Sequence, residues 1–228
     1  MLTVSLRLPL KISKSVGWIN KRYHKRTVKI LQRLSYNKSS SKTVKAETIN
    51  YGIIFGNEKI VFIKTGADGD IRGYKDKYLK MSHRVHERMG ATVICASNPE
   101  TVNGHFAADK EMISYVASEL KHTDYMVYFL GVSDGAYHNI VLSAEIPQAM
   151  KLLGISTSRK AVEDFKEKLQ VLAHVEKILV YGTEDYEYDI VPELENSEFE
   201  NLKVITIDGA DHDFKGMLDG FIALGDLL

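Results

Sequence analysis

The chain has 228 residues, one Cys, and 30 Lys+Arg against 30 Asp+Glu. A single Cys excludes a scaffold built on internal disulfides, and no apolar run reaches the roughly 18 residues of a membrane span. Met1 to Ile12 alternates polar and apolar residues and is broken by Arg7, Pro9 and Lys11. It lacks the continuous apolar stretch of a secretory signal, so the expected location is cytoplasmic.

The charge balance hides a division. Residues 1–47 hold twelve Lys/Arg and a single acid, Glu47, for a net charge of +11, and the remainder carries −11. Val16, Ile19, Tyr23, Ile30 and Leu34 recur near the helical period, with Lys21, Arg22, Lys25, Arg26, Lys29 and Arg33 filling the other positions. The pattern predicts a basic amphipathic helix over about residues 15–35. Its bland role is packing onto the acidic body of the chain, and its functional one is attachment to an anionic membrane surface. Nucleic acid is not an expected partner, because no recognition motif accompanies the aromatic residues Trp18 and Tyr23. Asn37 to Lys42, with three consecutive serines, reads as a flexible linker. The expected organisation is a basic segment and linker over 1–42 and a folded domain over 43–228.

Strand-like runs then cover Ile49–Phe55 and Lys59–Lys64, separated by Gly56-Asn57-Glu58, which reads as a hairpin turn. A glycine-rich loop follows, Thr65-Gly66-Ala67-Asp68-Gly69-Asp70. From there helices and strands alternate. Helices are expected over 74–89, 109–120, 135–144, 159–172 and 214–228, and strands over 91–96, 125–130, 151–155, 177–181 and 202–207. The strands are nearly continuous apolar runs, as when both faces of a sheet are covered. The class is therefore α/β: a mostly parallel sheet with helices on both faces and an antiparallel hairpin at its edge.

One motif stands out, Gly131-Val132-Ser133-Asp134-Gly135. It has the form G-x-S-x-G, directly after an apolar strand and directly before a helix. Such a turn exposes the serine in a strained backbone, and the flanking glycines let strand and helix pass closely. An acid is expected after a later strand and a His after the next. Strand 177–181 runs into Gly182-Thr183-Glu184-Asp185, and strand 202–207 into Gly209-Ala210-Asp211-His212.

In these three pieces, in this order, the chain resembles the α/β-hydrolase superfamily over about residues 45–228. The resemblance implies Ser133 as nucleophile, His212 as its base and Asp185 as the group that orients the imidazole. It implies an oxyanion hole from the backbone N–H groups of Asp134 and, in the loop after Lys64, Ala67. Gly131 and Gly135 are the glycines of the turn. The Asp134 side chain either faces the helix start or bears on the site. Strands 151–155 and 177–181 lie about 21 residues apart, which leaves room for a crossover helix but not for a lid domain. The cleft is then expected to be open, bounded by residues 65–73, 97–108 and 183–197.

The implied activity is hydrolysis of a carboxylic ester, thioester or amide on a small or polymer-linked acyl substrate. The alternatives are an acyltransferase using the same residues, or a non-catalytic binding protein attached to a membrane or partner by its basic N-terminus. No cofactor is expected, since neither a dinucleotide nor a P-loop fingerprint occurs. No metal is expected either: His83 and His86 lie three apart without the H-E-x-x-H arrangement, and Cys95 sits inside an apolar strand.

Overall fold

A computed structural model of the chain describes residues 4–5, 35–44, 47–99, 105–121 and 123–228. The strands are β1 (Val4–Ser5), β2 (Lys38–Val44), β3 (Glu47–Ile54), β4 (Asn57–Lys64), β5 (Ala91–Ala96), β6 (Met126–Val132), β7 (Ala149–Ile155), β8 (Glu176–Gly182) and β9 (Leu202–Ile207). The helices are α1 (Lys77–Met89), α2 (His105–Glu119), α3 (Asp134–Ser143), α4 (Val162–Val171), α5 (Val191–Glu195) and α6 (Leu218–Ala223). All strands form one sheet, in the order β1-β9-β8-β7-β6-β4-β5-β3-β2. Its centre is parallel, and β3 and β2 close one edge in antiparallel pairing. No described helix is long and apolar enough to cross a membrane.

Alternation along the strands explains the two layers. Ile60 and Phe62 of β4 and Phe129 of β6 point to a core shared with α2, α3, α4 and α5. Val61, Ile63 and Leu130 point to the other face, packed with α1 and α6. The central strands β4, β5 and β6 thus bury both of their faces, as their apolar runs require. The chain leaves β4, goes to β5 on one side and returns to β6 on the other. A crevice forms where the strand order reverses in this way, beyond the carboxyl ends of the strands. The loops that follow β4 and β6 hold Ala67 and Ser133.

Two sequence expectations are corrected. The runs 49–55 and 59–64 do not pair as a hairpin, because β5 lies between them: Ile94 pairs with Ile53 on one side and with Phe62 on the other. Every residue of β5 is buried, so leaving it at an edge would expose an apolar strand with unpaired backbone groups. Phe55-Gly56 can span the two interstrand steps, about 10 Å, at about 3.3–3.6 Å per residue. The turn is held by β5 instead, with Gly56 N–H donating to Thr92 Oγ1 and Asn57 N–H to the Gly90 carbonyl. The antiparallel edge hairpin is β2–β3.

The second correction follows from the first. Residues 38–42, read as linker, belong to β2. Ser39 and Ser41 are exposed, while Lys38, Ser40 and Lys42 are half-buried toward α2. Lys38 Nζ donates to Tyr115 Oη at 2.7 Å, and Lys42 pairs with Glu111. Charged residues on an edge strand also discourage pairing with other chains. The basic helix expected over 15–35 lies outside the described residues, apart from Ser35.

One buried polar group ties the layers together. Asp109 of α2 is fully buried and accepts hydrogen bonds from Lys64 Nζ at 2.8 Å and Tyr51 Oη at 2.8 Å. His138 Nε2 of α3 lies 2.8 Å from the same carboxylate, and its ring stacks on Phe106. Burial alone would raise the Asp109 carboxyl, but the Lys64 ammonium and His138 outweigh it and hold it below the usual range. Burial also keeps His138 neutral by pulling its imidazole below its ordinary value. Both shifts destabilise the fold in acid. Stability begins to fall below the ordinary imidazole value of about 6.5, where the unfolded chain takes up the His138 proton. The Asp109 contribution is complete above the ordinary carboxyl value of about 3.9 and is lost as pH falls through its lowered folded-state value.

Removing one partner leaves the other charge buried and unpaired. Asp109→Ala is expected to cost about 3–5 kcal/mol in urea unfolding, whereas Lys64→Met combined with Asp109→Leu recovers most of the loss. A cost below about 1 kcal/mol for the single substitution would contradict this account.

Candidate active site

Ser133 stands between β6 and α3 with φ 52° and ψ −126°. A non-glycine residue there is strained by about 1–3 kcal/mol, so the surroundings must enforce it. They do so through close backbone approach. A Cβ on Gly131 would lie 2.3 Å from Ala136 Cα, and one on Gly135 would lie 2.1 Å from the Thr65 carbonyl oxygen. Neither distance is compatible with a side chain. Ser133 N–H donates to the Ile155 carbonyl at 2.8 Å, fixing the turn to β7, and the Ser133 carbonyl accepts from Ala136 N–H at 2.9 Å to open α3.

The loops after β8 and β9 are joined to each other. Thr183 N–H donates to the Ile207 carbonyl at 3.0 Å and Glu184 N–H to the Ala210 carbonyl at 2.9 Å, while Gly209 N–H reaches Thr183 Oγ1 at 2.8 Å. These bonds bring Asp185 and His212 together across 27 residues. His212 Nδ1 lies 2.8 Å from Asp185 Oδ1, and His212 Nε2 lies 2.9 Å from Ser133 Oγ. With the Nδ1 proton directed to the carboxylate, Nε2 is left to accept from the serine hydroxyl. Asp185 Oδ1 also accepts the N–H of Glu187 at 2.9 Å. Burial would raise the Asp185 carboxyl, but His212 and the Glu187 N–H hold it below the usual range.

A cavity of about 440 Å³ opens above Ser133 and His212. Ala67 lines it, within a turn fixed by Gly69 N–H donating to the Gly66 carbonyl and by Gly66 N–H donating to Tyr78 Oη at 3.2 Å. Asp134 N–H begins α3, where a helix offers its own N–H groups no acceptor. The Asp134 side chain does not line the cavity, and its carboxylate lies 3.4 Å from Lys160 Nζ. The residues 97–99 and 105–108 do not line it either, because β5 ends at Ala96 and residues 105–108 form the first turn of α2. β7 and β8 are joined by α4 alone, so nothing from that crossover covers the site.

Tyr186 belongs to the 183–197 loop expected at the cleft, whereas Tyr74, Lys77, Tyr78 and Asp213 line it from outside the expected loops. Tyr186, 71% exposed, stacks on the His212 ring with centroids 4.2 Å apart. Its stacking on His212 has no sequence signal beyond membership of that loop and adjacency to Asp185. Tyr74 lies in the turn just before α1 and Lys77 opens that helix, in a run that reads in sequence as one helix over 74–89. Among the described residues, no group of three or more His, Cys, Asp or Glu side chains is placed to hold a metal ion.

No family model matches the sequence, and no curated protein matches it. Solved structures do. An α/β serine hydrolase homologue from Coxiella burnetii is 14% identical, covering 85% of this chain and 98% of its own, with a TM-score of 0.64. A lidless α/β serine hydrolase from Xanthomonas campestris is 16% identical, with coverages of 85% and 94% and a TM-score of 0.60. Est1E from Butyrivibrio proteoclasticus is 15% identical, with coverages of 83% and 96% and a TM-score of 0.58. The sheet order, the placement of the helices and these likenesses agree: the chain has the α/β-hydrolase fold.

Proposed function

We propose that the protein is a serine hydrolase that cleaves a carboxylic ester, thioester or amide through an acyl-enzyme. The observation that carries this reading is the continuous chain of contacts Ser133–His212–Asp185, at 2.9 and 2.8 Å, built on a strained turn. The positive φ and the two close backbone approaches hold the Ser133 hydroxyl at the cavity and within reach of His212. The named likeness to serine hydrolases supports it further.

In the proposed reaction Ser133 Oγ attacks the substrate carbonyl carbon as its proton passes to His212 Nε2. The carbonyl oxygen becomes an oxyanion, for which the N–H groups of Asp134 and Ala67 are the donors. The tetrahedral intermediate collapses, the bond to the leaving oxygen, sulfur or nitrogen breaks, and His212 returns the proton to that atom. Water then gives a proton to His212 and attacks the acyl-enzyme. Collapse of the second intermediate restores the Ser133 hydroxyl and frees the acid. Asp185 stays ionised throughout, holding the imidazole in one tautomer and stabilising its charge. Tyr186 limits the freedom of the ring from its outer face. The pairing of Asp134 with Lys160 keeps the Asp134 carboxylate away from the developing negative charge, where it would oppose the reaction.

Hydrolysis of p-nitrophenyl butyrate tests the reading. Ser133→Ala and His212→Gln are each expected to lower kcat by about 10⁵–10⁶-fold, and the double variant by no more than either one, because the two act as a unit. Independent effects that multiply, or a Ser133→Ala enzyme of undiminished activity, would contradict it.

The Asp185 shift gives a second check. Its lowered folded-state pKa contributes stability that is present above the ordinary carboxyl value of about 3.9 and disappears as pH falls through the lowered value. The stability gap between wild type and Asp185→Asn, measured by urea unfolding across pH, is therefore expected to be widest near neutrality and to close in acid. The same substitution should lower kcat by about 10⁴-fold by favouring the wrong imidazole tautomer. A gap independent of pH would show that the carboxylate charge is not what the fold uses.

A further inference from the structure

A second cavity, of about 610 Å³, adjoins the first and shares Tyr74, Lys77 and Asp213 with it. Its character differs. Phe214, Leu218 and Phe221 give it an apolar wall, and three lysines, Lys75, Lys77 and Lys215, face it against one acid, Asp213.

Lys77 is the distinctive group. It is only half-exposed, and its Nζ lies 4.8 Å from the Phe221 ring centroid and 5.1 Å from that of Tyr78. Among the described residues it forms no ion pair; Asp213 acts on it only at longer range. Asp76, the acid next to it in sequence, is bound to Arg72 Nε at 2.8 Å, and the first turn of α1 holds no acidic side chain. Burial consequently pushes the ammonium below the ordinary lysine value. Two aromatic faces attract a cation, but they do not neutralise it. An anion in the cavity would.

The backbone beside it is held at a cost. Gly73, Lys75 and Asp76 all have positive φ, and Asp70 Oδ1 braces the segment by accepting the N–H groups of Arg72 and Gly73, both at 2.6 Å. The braced segment presents Tyr74, 70% exposed, at the junction of the two cavities.

We propose that the second cavity binds one half of the substrate, an organic anion with an apolar body. Lys77 binds the anionic group, and Phe214, Leu218 and Phe221 cover the apolar part. This rests on the hydrolase reading for its link to turnover. The binding itself requires no chemistry.

Isothermal titration of the full chain with 4-phenylbutyrate and its neutral amide tests the site. Wild type is expected to bind the acid at least about ten-fold more tightly than the amide, the ratio that 1.4 kcal/mol of charge pairing gives. Lys77→Gln should abolish that preference while the amide still binds. Leu218→Asp should weaken both ligands by placing a carboxylate in the apolar part. Equal binding of acid and amide by wild type, a preference that survives Lys77→Gln, or no binding of either ligand would overturn the proposal. Activity on p-nitrophenyl butyrate reports separately on Ser133. An inactive protein that binds the acid through Lys77 would retain the site and lose the hydrolase reading. An active one that binds neither ligand would do the reverse.

Discussion

The geometry of the site depends on how closely the start of α3 approaches the end of β4. The Gly135 Cα presses against the Thr65 and Lys64 carbonyls so tightly that even one methyl group would collide with them. That approach forces the left-handed backbone of Ser133, and it sets the Thr65–Gly69 turn beside the serine. Lys64 serves the junction twice. Its carbonyl packs against Gly135, and its ammonium reaches through the core to Asp109, which also contacts His138 on α3. A buried charged group of this kind contributes little net stability compared with apolar packing. What it does here is couple β4, α2 and α3, the elements that carry the turn and the serine, so that they hold one arrangement.

Much of this was legible in the sequence because the controlling signals are local. Gly131 and Gly135 flank Ser133 within a single turn, and their spacing follows from one strand meeting one helix. Asp185 and His212 follow strands whose apolar runs are unmistakable, and the family order of acid and then His located them. The cross-chain contacts that unite the three residues could be expected only through that resemblance. The two misreadings of the sheet have a common origin in pairing between distant segments. Gly56-Asn57 is a good turn sequence whatever its strands do next, and nothing near it in the chain says that β5 will take the place between them. Likewise the serines of β2 show little β preference, and the strand exists because β3 and the acidic face of α2 receive it. Tyr186, Tyr74 and Lys77 carry no motif at all, since their importance comes only from which loop ends the fold assembles around the crevice.

The division of charge also takes a more definite form. Two of the twelve basic residues of the first 47, Lys38 and Lys42, lie against α2, where Tyr115 and Glu111 receive them. Those contacts close one sheet edge. On the far side of the sheet order, the site remains open because only α4 joins β7 to β8. Access is shaped instead by side chains standing at the rim: Tyr186 over His212, and Tyr74 with Lys77 between the two cavities. On the proposed reading, an open, aromatic-rimmed cleft with the half-buried Lys77 between its two cavities selects substrate by chemistry more than by enclosure.

The central claim is that the strained turn and its hydrogen-bonded partners make Ser133 a nucleophile unlike any other serine in the chain. The most direct measurement is reaction of the full chain with a fluorophosphonate, read by intact mass and peptide mapping. The account predicts a single adduct, on Ser133, that forms far more slowly in His212→Gln and not at all in Ser133→Ala. An unmodified wild-type chain, or an adduct that persists undiminished in Ser133→Ala, would contradict it.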